Sequence, residues 1–324
     1  MTLPASDVDE FNIQGSGSWL KFRQNKIGAS DAPIIMGVSP YNTPHGLMRD
    51  KLGLNTNQNA VKGKTSNWAI DRGNRWEPMA RARYELINDI PMEPAVLVHP
   101  EHGFLMASLD GWNADQKRVL EIKIPGAEVF NQCLAGKVHE KYVYQLEHQL
   151  YVSSGEEAHF YCCKVESRDG KERIVDTALT IYKSNPELRE KLLPKLFEFW
   201  GYMQRHEFPP LTDKDVLETK DLRAIEIFDQ IGILELRINK LNTDIDRLSV
   251  VVPLDDDVKF EIKEKEKDLS ELETQQFNLK KDAVIFLTHP KVKAGWVQLN
   301  QNKRFPNTWS VKIIEDSIPE KCKK

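Results

Sequence analysis

The chain has 324 residues, 40% of them hydrophobic, which suits one domain with a sizeable core plus an appendage. Its net charge of −4 gives no global signature of nucleic-acid binding, and no run approaches the roughly 18 apolar residues of a membrane helix. A signal-peptide layout is missing from the N-terminus, and Cys133, Cys162, Cys163 and Cys322 have no C-x-x-C spacing, so the expectation is a reducing, cytoplasmic setting without disulfides or zinc.

Residues 1–18 are polar, with a Gly-Ser run from Gly15 to Ser18, and read as a mobile arm. The character changes at Trp19. Gly28-Ala-Ser-Asp31 reads as a helix start, with Ser30 or Asp31 as N-cap and a short helix over 32–37. A turn over 39–44 precedes a helix over 47–52, and 55–66 reads as a loop. Residues 67–88 are helical, but Pro78 predicts two pieces meeting near Glu77, because proline loses an N–H and clashes with the preceding turn. Arg49–Arg83 holds eight Lys/Arg against three acids, which fits a DNA channel or a solvated helix face.

A strand is expected over 96–98. Two apolar runs, Phe104–Leu109 and Val119–Ile124, then flank a polar segment and predict a β-hairpin. With its turn centred on Asp115–Gln116, Asp110 falls opposite Glu121. Opposed Cβ atoms lie roughly 4.5–5.5 Å apart, so the two acids can share a hard cation. Lys123 shares the face of Glu121, while Leu120, Ile122 and Ile124 point into a core. The same pattern also describes a surface hairpin that happens to carry Asp, Glu and Lys.

A weak helix is expected over 126–138. A clearer one over 139–152 has Tyr142, Val143, Leu146 and Leu150 on its apolar face and Gln145 and Gln149 beside it; His148 reads as structural or DNA-side. Residues 158–164 and 173–182 form a second hairpin around Asp169-Gly170. Asn185-Pro186 opens a long helix to about Arg205, buried along Leu188, Leu192, Leu196, Phe199, Trp200 and Met203. Heptad-like positions from Ile227 to Leu248 and from Val258 to Phe286 predict an antiparallel helical hairpin over 212–289. Its simplest reading is a spacer or self-association handle. The tail over 290–324 is basic and aromatic, with strand-like ends, and either adds strands or touches DNA.

Several of these stretches resemble one family. SLDG…LEIK…P is similar to the D-x(n)-E-x-K core of the PD-(D/E)XK nucleases, in the variant of the phage lambda exonuclease and the YqaJ-type viral recombinases. W…R…GASD…GVSPY.TP, RG…EP.AR..YE and Y.YQLEHQLYV resemble further motifs of that family. The resemblance implies an α/β fold, a mixed β-sheet flanked by helices, over 19–211. It implies that Asp110, Glu121 and the Ile122 carbonyl hold Mg²⁺, with Mn²⁺ substituting, and that Glu77 helps with a second ion. Lys123 then orients or deprotonates the attacking water, or acts as an electrostatic clamp, the preferred role. Gln145 stands near the metals, and Arg23 and Ser30 capture a 5′ phosphate; Arg72, Arg75, Arg81 and Arg83 are candidate DNA-backbone contacts, with a solvated face equally open for each. On residues alone, Ser30 is equally a plain cap, and Glu77 a helix-start acid.

The implied function is a Mg-dependent exonuclease that digests double-stranded DNA from its ends, 5′ to 3′. It would leave 3′ overhangs for a single-strand annealing protein in phage-type recombination. A homotrimeric ring and a host-cytoplasmic location are implied with it. Two alternatives share the core: a sequence- or structure-specific endonuclease, and a non-catalytic nuclease-fold protein that binds DNA or protein.

Overall fold

The computed structural model describes residues 17–54, 64–250 and 255–319. The expected arm through residue 16, the loop over 55–63, the inter-helix turn over 251–254 and the chain from 320 lie outside these. The chain divides into two compact units, one ending at Pro210 and the other starting at Leu211.

The first unit is a mixed sheet with helices on both faces. Helix α1 (Gly17–Gln24) leads to a short strand β1 (Ile27–Gly28), a 3₁₀ turn (Ala29–Asp31), α2 (Ala32–Ile35) and α3 (Pro44–Lys51). A long helix α4 (Lys64–Asn88) precedes strands β2 (Glu93–Val98), β3 (Leu105–Asn113) and β4 (Arg118–Lys123). Then come α5 (Ala127–Leu134), α6 (Glu140–Ser153), the hairpin β5 (Glu157–Arg168) and β6 (Lys171–Lys183), and α7 (Pro186–Arg205). The sheet order is β1-β3-β4-β5-β6, with β2 also paired to β3. β1–β3 and β4–β5 are parallel; the other pairs are antiparallel. A parallel β4–β5 pair needs a crossover, and α5 and α6 supply it.

Both faces of the sheet are greasy, so β4 and β5 read as near-continuous apolar runs. One face buries Leu105, Leu109, Val119 and Phe160 against Leu146 and Leu150 of α6 and Leu192, Leu196 and Phe199 of α7. The opposite face buries Leu120, Ile122 and Tyr161 against Ala80 and Tyr84 of α4. Each fully buried Leu or Phe contributes about 1.5–3 kcal/mol.

Three local expectations need correction. Pro78 sits inside one continuous helix of 25 residues rather than between two pieces. Trp76, Ala80 and Tyr84 are all buried, and anchoring on both sides of the proline offsets its local cost. Neither Ser30 nor Asp31 caps α2 with its side chain; Asp31 instead accepts the Gly28 N–H at 2.9 Å, back across the 3₁₀ turn. The apolar face predicted for α6 is too narrow, because Glu147, His148 and Gln149 are buried with Leu146 and Leu150.

The second unit is more than a helical hairpin. α8 (Leu222–Ser249) and α9 (Asp256–Ala283) pack on each other, capped by Asp221 and Asp255. Residues 290–324 supply β8 (Lys291–Ala294), β9 (Val297–Gln301) and β10 (Trp309–Ile313), which with β7 (Leu217–Glu218) make a second sheet in the order β10-β9-β8-β7. The expected tail thus adds strands. Phe228 and Ile231 of α8 share a core with Val292, Ala294, Trp296, Val297 and Leu299. Gly232 permits this approach, since a Cβ there would meet Trp296 Cη2 at 2.7 Å. Among the described residues no helix is long and apolar enough to cross a membrane.

Candidate active site

The site is built on a bulge. Ala95 pairs with Leu109, but Glu93 pairs with Trp112, so β3 carries one more residue than β2 across this stretch. Leu109 and Trp112 consequently face the same core. Such a bulge breaks the strict alternation of a strand and re-aims the residues within it, here Asp110 and Gly111. Gly111 has no room for a side chain: a Cβ would meet Met92 Cβ at 2.8 Å and Leu120 Cβ at 3.1 Å.

The β3–β4 hairpin pairs Gly111 with Leu120, Trp112 with Val119 and Asn113 with Arg118. One further step along that register sets Asp110 against Glu121. The regular ladder stops there because side chains take over. The Ile122 N–H donates to Asp110 Oδ2 at 2.7 Å, and Arg81 of α4 donates to the Asp110 carbonyl at 2.6 Å. Asp110 is 9% exposed and Glu121 2%. Burial pushes the Asp110 carboxyl well above the usual carboxylate range, and the neighbouring Glu121 charge pushes it further. Glu77 is raised for the same two reasons, with Arg81, 3.4 Å away, pulling the other way. The three acids feel one another, and the site is short of positive charge.

Glu121 is held on every side. Lys123 donates to Oε1, Gln145 donates to Oε1 at 2.6 Å, and Gln149 donates to Oε2 at 2.5 Å. Gln145 and Gln149 lie one turn apart on α6, the helix that covers this face of the sheet. Burial alone would lower the Lys123 pKa, but the charges of Glu121 and Asp110 more than offset it, so its pKa lies above the ordinary lysine value. The raised pKa favours the charged ammonium of Lys123 over a neutral amine. Its ammonium also stands 5.4 Å from the Tyr142 ring centroid.

A second cluster involves the residues expected to take phosphate. Arg23 donates to Ser30 Oγ at 2.5 Å and to Asp31 Oδ1 at 3.1 Å. Lys51, which the sequence did not single out, donates to Asp31 Oδ2 at 2.7 Å and to the carbonyls of Arg23 and Lys26. Burial alone would raise the Asp31 pKa, but Lys51 and Arg23 outweigh it and hold the carboxyl at about 2. A folded pKa below the unfolded value stabilises at pH above about 4, and that stabilisation is lost as pH falls toward 2. Urea midpoints measured between pH 6 and pH 2.5 are expected to fall less steeply for Asp31→Asn than for the parent, by a contribution on the order of 2 kcal/mol. Parallel curves would remove Asp31 from the acid response.

α6 borders both clusters. His148 Nε2 bonds the Met106 carbonyl at 3.0 Å, and its ring is buried with its pKa lowered to about 4, chiefly by burial. It is a neutral structural residue. Arg72 and Arg75 are not brought to the acids. Arg72 donates to the Val165 carbonyl at 2.7 Å, and both arginines pair with Glu172 on β6. Their fork geometry serves the hairpin, which local charge counting cannot foresee. Gln149 is the site residue the sequence left without a role, and Arg81, one of the candidate backbone contacts, donates to the Asp110 carbonyl. The spacing of Gln145 and Gln149 was visible, but not that both reach Glu121.

Residues 18–156 match the family model of the YqaJ-like viral recombinase domain. Over 155 residues the chain is 29% identical to the uncharacterised YqaJ protein of Bacillus subtilis, covering 47% of each. Over 176 residues it is 28% identical to an uncharacterised protein of Acanthamoeba polyphaga mimivirus, covering 50% of this chain and 31% of that one. The chain thus spans about half or less of the length of these relatives. Among solved structures, an alkaline exonuclease (LHK-Exo) from Laribacter hongkongensis aligns with a TM-score of 0.48 at 22% identity, over 59% of this chain and 94% of that one. A phage-related exonuclease from Haemophilus somnus aligns with a TM-score of 0.41 at 15% identity, over 56% and 94%. The bulged hairpin, the α6 motif and the 3₁₀ turn all fall inside residues 18–156, the segment that is similar to the YqaJ-like viral recombinase domain.

Proposed function

We propose that the first unit is a Mg²⁺-dependent exonuclease that digests double-stranded DNA from its ends, 5′ to 3′. One observation carries the reading: a bulge aims buried Asp110 at Glu121, with Lys123 and Gln145 on the same acid. The residues fit a hard cation. Two buried acids with raised or neighbour-stressed charge want positive compensation, and the Ile122 carbonyl is a hard oxygen donor beside them. Among the described residues no three His, Cys, Asp or Glu side chains form a ready ligand group. A magnesium ion here would rest on one or two carboxylates and several waters. Such an ion, when bound, supplies Lewis-acid charge and acidifies a bound water.

The chain's own residues do the rest. Gln145 and Gln149 fix the orientation of Glu121. Lys123 places permanent positive charge where a phosphoryl oxygen gains negative charge. Arg23 and Ser30 offer a forked donor and a hydroxyl to a terminal 5′ phosphate. The product, a 3′ overhang, is a substrate for a single-strand annealing protein.

The test is digestion of end-labelled linear duplex and of a closed circle, with and without Mg²⁺. Loss of label from the 5′-phosphorylated linear duplex, an intact circle, and arrest by chelator are expected. Cutting of the circle assigns an endonuclease, and inertness toward both assigns a binding protein.

A further inference from the structure

The second unit lies outside the matched segment and carries a surface whose chemistry is unlike a spacer's. Phe277 on α9 and Phe305 in the β9–β10 loop are each 57% exposed. Both rings sit beside cations: Lys281 Nζ is 4.5 Å from the Phe277 centroid, and Arg304 Cζ is 5.6 Å from that of Phe305. A groove of about 290 Å³ runs between α9 and this loop, lined by Phe277, Lys280, Lys281, Thr308 and Trp309, with Glu273 as its acid. An exposed ring beside a cation offers stacking surface and positive charge together.

The loop is ordered for presentation. Asn302 Oδ1 accepts the N–H groups of Arg304 and Phe305 at 2.9 and 3.3 Å. Asn302 N–H donates to the Thr308 carbonyl at 3.0 Å, and Thr308 Oγ1 donates to the Phe305 carbonyl at 2.8 Å. The turn is closed by its own polar groups, so Phe305 and Arg304 are held outward at no further ordering cost on binding.

We propose that this face binds single-stranded nucleic acid, with bases stacked on Phe277 and Phe305 and phosphates tracked by Lys280, Lys281, Lys303 and Arg304. Aromatic faces accept any base, and paired bases in a duplex do not expose theirs. Lys280, Lys281, Lys303 and Arg304 give this face the positive charge that a polyanion matches. The assignment is independent of the nuclease reading, since none of these residues belongs to the acid site.

The experiment is fluorescence anisotropy of labelled oligothymidylate with the full chain in chelator, which blocks cleavage. Phe277→Ala combined with Phe305→Ala is expected to weaken binding about tenfold or more, and Phe305→Trp to keep it. Lys303→Ala combined with Arg304→Ala is expected to flatten the slope of log affinity against log salt by about 1.4, the contribution of two single-strand phosphate contacts. All four side chains are exposed, so circular dichroism should show an unchanged fold. Unchanged oligothymidylate affinity in the double ring variant overturns the proposal and leaves a protein as the occupant. Equal loss on duplex and single strand overturns it too. The ring and cation substitutions lie outside the acid site, so digestion of linear duplex by these variants at the parent rate is expected, and a failed binding result leaves the nuclease assignment standing.

Discussion

Asp110→Asn is expected to abolish digestion of linear duplex DNA and at the same time to raise the thermal stability of the fold. The expected loss follows from the proposed nuclease reading. If Asp110 is an anionic metal ligand there, removing its charge withdraws several kcal/mol of transition-state stabilisation, about a thousandfold in rate. The gain in stability follows from burial. Asp110 is 9% exposed and its pKa is raised, first by burial and then by Glu121. A carboxyl whose folded pKa lies above its unfolded value destabilises the fold once pH exceeds the unfolded value, near 4. At neutral pH its charge therefore works against folding. Asparagine keeps an oxygen for the Ile122 N–H and offers Glu121 a donor, without the repulsion. A midpoint higher by a few degrees, with activity gone, is the expected pair of results. Full activity in this variant removes the site, and a lowered midpoint removes the argument from repulsion.

Glu147→Ala is expected to be the most damaging single change to stability. Glu147 is fully buried on α6 and accepts four hydrogen bonds: from Ser184 Oγ at 2.7 Å, Tyr182 Oη at 2.8 Å, Arg189 Nε at 2.8 Å and the Asn185 N–H at 2.9 Å. These donors come from the end of β6 and the first turns of α7. One carboxylate therefore ties α6 to the point where the chain leaves the sheet. Truncation leaves buried donors unsatisfied and a guanidinium without its partner, a loss of about 3–5 kcal/mol. For a unit of this size that lowers the melting temperature by about 10 °C. Arg189→Ala, which strands the buried charge instead, should fall in the same range. A shift of only a degree or two in Glu147→Ala would show that the network merely decorates the packing.

Much of the first unit was legible because its elements announce themselves locally. Asn185-Pro186 marks the start of α7, and Asp169-Gly170 marks the β5–β6 turn. The α8–α9 pair follows its heptads. The corrections share one cause. Whether Pro78 breaks its helix depended on Trp76 and Tyr84 finding a sheet to pack on, and no local window contains that sheet. That Arg72 pairs with Glu172 depended on a residue about a hundred positions later. The strands of 290–324 were ambiguous until α8 supplied the core that buries Trp296 and Leu299.

The sequence by itself determined the register of the β3–β4 hairpin, because side chains alternate with period two and a turn of given length leaves one alignment that buries Leu120 and Ile122. It also determined that Asp110, Glu121 and Lys123 belong to one short hairpin. Only the tertiary structure decided where Asp110 points, since the bulge exists through the pairing of β3 with β2. It alone decided that Lys123, Gln145 and Gln149 all donate to Glu121. Those outcomes depend on burial and on charges brought together from separate strands and a covering helix, which no local period in the chain encodes.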